Sequence, residues 1–362
     1  MRVLLCGGGS AGHVNPAIAI AETILKNIPE TKIAYVCTIS GIENELVDYK
    51  KYHINVKGLQ KKSLIKNVST VTLAYKAINE SRKIIKDFCP DVVVGTGGYA
   101  TFPVIMAAKK HGVKTVLHES NAYPGRTMRL LENKADIVFT NFEDSKKYLK
   151  NKNIVCCVGN PLRHKFFEAI NNLEKEAKNQ KYTILCCGGS LGAEKINKAA
   201  IEIADNLIRY RTDIRLILST GKRSYYDVCE VLRKKRLDKL ENLDVYEYIH
   251  DMPNKMAMAD VVISRAGAMT ITELSAMGKC SILVPSPNVT DNHQYKNAKA
   301  LENQGAAVVI TEDRLYSLTD TVKDLLANDS QRKKMEENIR KFYRPYANKE
   351  IYKKILQLVQ NR

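Results

Sequence analysis

Residues 2–13 read RVLLCGGGSAGH: an apolar run, Arg2–Cys6, ends abruptly in the glycine-rich segment Gly7–His13. An Ala- and Ile-rich helical stretch follows from about Pro16. A short strand, a glycine turn and a helix make the opening unit of a Rossmann-like domain. Gly7, Gly9 and Gly12 also fit G-x-G-x-x-G. In that pattern, missing side chains admit a phosphate to the backbone and a helix N-terminus turns N–H groups toward it. A dinucleotide site further asks for an acid at the end of the second strand. There the chain reads CTISG, and Glu43 comes too late. Dinucleotide binding is therefore disfavoured. A phosphate-facing loop and a plain strand–helix turn both remain open.

The pattern repeats outward from this stretch. Apolar runs at Lys32–Thr38, Val92–Val94, Thr115–Leu117, Ile137–Thr140 and Ile154–Val158 alternate with helical periodicity. After GNPLR and the polar stretch EAINNLEKEAKNQK the cycle restarts with Tyr182–Cys187, the turn GGSLGA and a helix over Glu194–Arg209. Further runs follow at Arg215–Ser219, Val245–Ile249, Val261–Ser264, Ser281–Val284 and Ala306–Ile310. Near-continuous apolar strands between helices imply parallel sheets covered on both faces. The 362 residues exceed one ordinary core. The expected fold is α/β, with two Rossmann-like doubly wound parallel-sheet domains, residues 1–160 and 161–339. A charged helical tail, Gln331–Arg362, follows, of which 340–362 is expected to pack back on the first domain. Ligands of such sheets bind beyond the carboxyl ends of the strands, so the glycine loops are expected to face a cleft.

Three glycine turns stand at strand ends: Gly7–His13, Gly95–Pro103 (GTGGYATFP) and Gly188–Ala193 (GGSLGA). Together they suit a phosphate-bearing ligand. His13 closes the first, where an imidazole can take a proton near neutral pH; capping its own loop is the alternative. His118-Glu119-Ser120-Asn121 ends another strand and faces either the cleft or solvent. Arg163 of GNPLR can clamp a phosphate or form a salt bridge that stiffens the linker. In SRAGAMTITEL, Ser264–Leu274, small residues precede Thr270 and Glu273. That carboxylate can accept two ribose hydroxyls, or cap a helix that starts near Thr270. Gln294, in DNHQYKNA, lies at a helix start.

Lys plus Arg is 57 against 39 Asp plus Glu, a net charge of +18. Such a balance points to anionic lipid, phosphate-bearing substrates or nucleic acid. With no Trp, 7% aromatic residues and no nucleic-acid motif, nucleic acid is not expected as a partner. The stretch Lys50–Lys86 holds ten basic residues and one acid, Glu80, interleaved with apolar ones. That suits an anionic membrane surface, or a merely solvated helix face. No apolar run is long enough to span a bilayer, so any membrane contact is expected to be peripheral. The nine cysteines lie mostly in apolar runs and show no zinc spacing, which suits a reducing compartment. No Asp-x-Asp pair is visible, and neither a metal nor another cofactor is expected.

GGGSAGHVNPAIAIA, GTGGYATFP, HESNAYPG, GNPLR, GGSLGAEKIN, YIHDM, SRAGAMTITEL and DNHQYKNA, in this order, resemble the bacterial lipid II synthase glycosyltransferases. The resemblance spans nearly the whole chain. It implies a GT-B fold and transfer of N-acetylglucosamine from UDP-GlcNAc to undecaprenyl-linked lipid I. Donor contacts implied are Ile249 on uracil, Ala268, Met269 and Thr270 at a helix start, and Glu273 on the ribose. Ser190 and Arg163 are implied on the diphosphate, and Gln294, Asn121 and Ser10, Ala11 and Gly12 on the sugar. His13 is implied as the base and Glu119 as the second candidate. Leu191 stands where the family often has Gln, and Ser10 and Ala11 where it often has Thr and Gly. Another GT-B enzyme (a lipid glycosyltransferase or a UDP-GlcNAc epimerase) and a basic non-enzymatic binding module are the competing readings. An oxidoreductase lacks its ribose acid.

Overall fold

A computed structural model describes residues 1–57, 64–172, 182–189, 192–289 and 292–361, with the backbone alone over 64–71. The chain divides into two compact units, Met1–His164 with Arg344–Arg362, and Lys165–Tyr343. The first unit holds β1 (Arg2–Cys6), β2 (Lys32–Thr38), β3 (Lys50–Ile54), β4 (Val92–Gly95), β5 (Lys114–Glu119), β6 (Ile137–Thr140) and β7 (Val155–Cys157). They form one sheet in the order β3-β2-β1-β4-β5-β6-β7, parallel throughout. The second unit holds β8 (Tyr182–Cys187), β9 (Ile214–Ser219), β10 (Leu243–Tyr246), β11 (Val261–Ser264), β12 (Ser281–Leu283) and β13 (Val308–Val309). Their order is β10-β9-β8-β11-β12-β13, again all parallel.

The central strands read as unbroken apolar runs because both faces are covered. Val3 and Leu5 pack with Ile18, Ile20 and Ile24 on one face of the first sheet, while Leu4 and Cys6 join Ile105 and Phe88 on the other. Strand order reverses between β1 and β4, and between β8 and β11. The carboxyl ends of those pairs are where such sheets take ligands. Gly7–His13 and Gly95–Pro103 follow one pair, Gly188–Ala193 and the segment from Arg265 the other.

The C-terminal helix Ala347–Gln360 buries Ile351 and Ile355 against Val14, Ile18 and Ala21 of the helix Ala11–Asn27. Asn348 pins the chain beside it. Its Oδ1 accepts from Leu162 N at 3.0 Å, and its Nδ2 donates to Leu162 O at 2.8 Å and Thr23 Oγ1 at 2.9 Å.

Several boundaries differ from the sequence reading. The first helix begins at Ala11, not near Pro16. Pro16 deprives only the Gly12 carbonyl of its partner, in a first turn that water reaches. β3 lies unannounced within the basic stretch; its lysines suit an edge strand, while Ile54 turns inward. The expected strand Val245–Ile249 stops at Tyr246, so Ile249 follows the strand rather than ending it. Ala306–Ile310 shrinks to Val308–Val309, which pairs only with Ile282 and Leu283 of short β12. The helix Glu194–Arg209 ends at Asn206, and a 3-10 turn, Ile208–Tyr210, follows. The C-terminal segment is two helices, Asp329–Arg340 and Ala347–Gln360, because Pro345 interrupts it.

Candidate functional site

In the first unit the site centres on His13, third residue of the helix after β1. Its Nδ1 lies 3.1 Å from the Thr96 carbonyl oxygen. A carbonyl only accepts, so Nδ1 carries the proton and the basic lone pair of the neutral ring sits on Nε2. Thr96 Oγ1 also donates to His13 O at 2.6 Å, so one residue fixes both ring and backbone. The two glycine loops close around this pair, with Gly8 N donating to Gly97 O at 3.3 Å. A β carbon on Gly97 would stand 2.6 Å from His13 Nδ1, and one on Gly98 would fall on the Gly8 carbonyl oxygen. Here glycine serves the packing of one loop on another. Ser10 is the extended residue before the helix, and Ala11 and Gly12 form its start.

Glu43, set aside from sequence as too distant, returns beneath the first loop. It is fully buried and accepts from Thr38 N at 2.8 Å, Thr38 Oγ1 at 2.6 Å and Gly9 N at 3.5 Å. Burial removes it as a ligand for a sugar and makes it the floor of the loop.

Glu119, at the end of β5, organises its own loop. Oε1 accepts from Asn121 N at 2.8 Å and Asn121 Nδ2 at 3.1 Å, and Oε2 from Gly125 N at 2.8 Å. Burial pushes its carboxyl up, against the pull of the Asn121 and Gly125 donors. Neighbouring His118 is fully buried, with Nε2 3.2 Å from Gly159 O. Burial brings its ring down to about 4. Arg163 takes the linker arrangement: Nε donates to Glu22 Oε1 at 3.1 Å, and His164 N to Glu22 Oε2 at 2.8 Å.

In the second unit the helix Ala268–Met277 starts after Gly267, an extended cap. Ala268 and Met269 are buried at its mouth and Thr270 is half-buried. Glu273 is the sixth helical residue, too deep for the N3 position of a capping box, which removes the capping alternative. It is half-buried among buried neighbours. Burial first, and the Glu273 carboxylate second, push the Cys187 thiol up to about 12, which places the Glu273 charge near the end of β8. Gly189, just beyond, has φ +90 and open space where a side chain would stand. Among the described residues it is the glycine of this loop whose absent side chain faces open space. Ser190 and Leu191 lie outside the described residues.

Gln294 Oε1 accepts from Ser286 N at 2.9 Å, which aims its amide N–H groups away from that bond. Asn297 of the same helix is buried, and its Nδ2 reaches Ala266 O at 3.4 Å. Ile249 is buried in the segment after β10. The structure thus gathers His13, Ser10, Ala11 and Gly12 at one switch point, and Ala268, Met269, Thr270 and Glu273 at the other. Arg163 is held on Glu22 instead. Sequence reading passed over Thr96, although a polar residue in GTGGYATFP at a strand end was a usable signal. It also passed over Arg265 and Glu312, which pair at 2.6 Å across 47 positions with no local signature. Among the described residues no three His, Cys, Asp or Glu side chains gather as metal ligands. Nor is any helix among them long and apolar enough to cross a membrane.

Comparison with known proteins agrees with this architecture. A family model described as the glycosyltransferase family 28 N-terminal domain matches residues 3–140, and its C-terminal counterpart matches 183–351. A protein of Alkaliphilus oremlandii is 40% identical over 346 residues, 93% of each chain. It is named UDP-N-acetylglucosamine–N-acetylmuramyl-(pentapeptide) pyrophosphoryl-undecaprenol N-acetylglucosamine transferase. A relative of the same name in a Thermoanaerobacter species is 40% identical over 365 residues, covering 98% of this chain and 99% of its own. The crystal structure of Acinetobacter baumannii MurG matches with a TM-score of 0.72 and 25% identity, over 98% of this chain and 99% of that one. Two parallel-sheet domains, glycine loops at both switch points and these matches along the whole length lead to one assignment: the chain belongs to glycosyltransferase family 28.

Proposed function

We propose that the protein transfers N-acetylglucosamine from UDP-GlcNAc to the C4 hydroxyl of MurNAc in undecaprenyl-linked lipid I, with inversion. The observation that carries the substrates is the 40% identity, over nearly the whole length, to relatives named for this transfer. The geometry around His13 supports the chemistry of this reading. His13 Nε2, made the basic nitrogen by the Thr96 carbonyl on Nδ1, takes the hydroxyl proton. The hydroxyl oxygen attacks the anomeric carbon from the face opposite UDP, the bond to the diphosphate oxygen breaks, and an α-linked donor gives a β-1,4 product.

The second unit holds the donor in this reading. Glu273 takes the ribose hydroxyls and Ile249 the uracil. The loop at Gly189 and the helix start at Ala268, Met269 and Thr270 take the diphosphate, where the helix dipole offsets charge on the leaving group; Ser190, outside the described residues, is assigned there by the family resemblance alone. Gln294 presents its amide to the sugar, as do Asn121 and the Ser10–Gly12 turn. Glu119 acts as the anchor that orients Asn121, since its oxygens already serve the loop. Arg163, whose Nε is held by Glu22, offers its Nη groups to the diphosphate.

The first unit meets the membrane, at the cytoplasmic face where the lipid-linked acceptor lies. Lys76 and Lys83 are exposed seven residues apart on the helix Leu64–Phe88, which also exposes Tyr75, and the edge strand adds Lys50 and Lys51.

The test is transfer of labelled GlcNAc from UDP-GlcNAc to a short-chain lipid I analogue. Wild type should transfer; His13→Ala should lower kcat by about 10²–10⁴-fold while still binding UDP. UDP-GlcNAc binding without transfer would keep the fold and refute the acceptor. Abolition of transfer by a chelator would refute the metal-free chemistry.

A further inference from the structure

One carboxylate ties together the strand-end segments of the second sheet. Glu312, at the start of the 3-10 helix after β13, accepts from Arg265 Nη2 at 2.6 Å through Oε1 and pairs with Lys195 Nζ at 3.0 Å through Oε2. Arg265 also donates from Nη1 to the carbonyl of Val284, just after β12, at 3.2 Å. Arg265 follows β11 and stands two residues before the cap of the helix that carries Glu273. Lys195 is the second residue of the helix that leaves the Gly188–Ala193 loop. Side-chain exposure is 10% for Glu312 and 15% for Arg265, against 60% for Lys195. Although burial opposes it, the two cations hold the Glu312 carboxyl below its ordinary range.

We infer that Glu312 is a positioning residue for the nucleotide-sugar: it sets the spacing between the loop at Gly189 and the helix start at Ala268. This rests on the donor reading above. The diphosphate and ribose of one nucleotide are covalently spaced. Two loops that grip them separately must therefore keep a matching distance before the ligand arrives. The Arg265–Glu312 half of the tie is shielded from water and fixes the carboxylate beside the helix start, while the exposed Lys195 half is the weaker link to the glycine loop. The tie also occupies Arg265 and Lys195, which would otherwise repel each other.

The variant is Glu312→Gln in the full chain. The measurements are KM for UDP-GlcNAc, Kd for UDP by calorimetry, kcat and KM for the acceptor analogue. Donor KM and UDP Kd should rise together by about tenfold, with kcat and acceptor KM held within about twofold. Glu312→Asp, which keeps the charge but is one methylene shorter, should recover part of the loss. Lys195→Met is the second variant. Its exposed side chain contributes little to folding, so it should raise the same two constants by a smaller factor even if Glu312→Gln fails to fold. Unchanged or tighter UDP binding in Glu312→Gln would overturn the inference. So would equal losses in donor, acceptor and kcat, which mark a general loss of structure. Failure of wild type to bind UDP would instead overturn the donor reading itself.

Discussion

Replacing Gly97 by alanine tests whether the grip of Thr96 on His13 matters for chemistry. Gly97 has φ +107, a conformation L side chains rarely adopt. Forcing alanine into it costs about 1–3 kcal/mol of stability. The new β carbon would stand 2.6 Å from His13 Nδ1, where ordinary contact begins at 3.4 Å, so the ring must retreat by about 0.8 Å. A retreat of that size directed away from the carbonyl lengthens the 3.1 Å contact to Thr96 O beyond hydrogen-bonding range. Both the tautomer and the aim of Nε2 are then lost, and a misplacement near 1 Å can cost about 10²-fold in rate. Gly112→Ala is the control. Gly112 also has a left-handed φ, +69, but nothing lies within 4 Å of its absent side chain. Steady-state transfer, UDP calorimetry and urea midpoints should be measured for both. Both variants should lose stability, only Gly97→Ala should lose kcat by about two orders of magnitude, and neither should change UDP affinity. If kcat of Gly97→Ala stays within about threefold of Gly112→Ala, the orienting role of Thr96 is refuted.

Other outcomes follow from the same geometry. Glu273→Ala should weaken UDP at least about tenfold, since hydrogen bonds to a charged group contribute about 1.5–3 kcal/mol each. A 2′,3′-dideoxy UDP should not distinguish the variant from wild type, and equal losses for both ligands would remove Glu273 from the ribose. His118 is held neutral, at about 4 against 6.5 in the unfolded chain. Between those values the unfolded state binds more proton, so stability should fall as pH drops from about 6.5 toward 4 and level off below. Glu119, pushed up by burial, works in the opposite sense above its ordinary range. Comparing urea midpoints of wild type and His118→Gln cancels that contribution, and parallel pH profiles would sink the assignment. Sedimentation with vesicles should increase with anionic lipid content and decline with salt. Indifference to both would refute membrane docking through the basic face of the first unit.

Much of this protein is legible in its amino-acid sequence. The apolar runs of β1, β2, β6, β8 and β11 match the observed strands residue for residue, because a strand buried on both faces allows no polar interruption. Each glycine turn at a strand end marks a switch point, because strand order and chain order are coupled in a doubly wound sheet. Local pattern was weaker where pairing decides. β3 is an edge strand whose lysines hide its apolar alternation, and β13 is a two-residue edge strand paired with β12 alone.

What the sequence by itself determined is the fold class, the two glycine-marked units and the identity of the residues at their switch points. These are local or periodic properties, and period survives in one dimension. Only the tertiary structure decided which groups those residues meet. It placed the carbonyl of Thr96 on the ring of His13, 83 positions apart, and Glu22 on Arg163, 141 apart. It also turned Glu43 from a missing ribose acid into a buried support beneath the first loop. Hydrogen bonds and ion pairs act over about 3 Å of space whatever the separation along the chain. Proton position, burial and pairing, on which the chemistry depends, are therefore set when the sheet brings distant strand ends together.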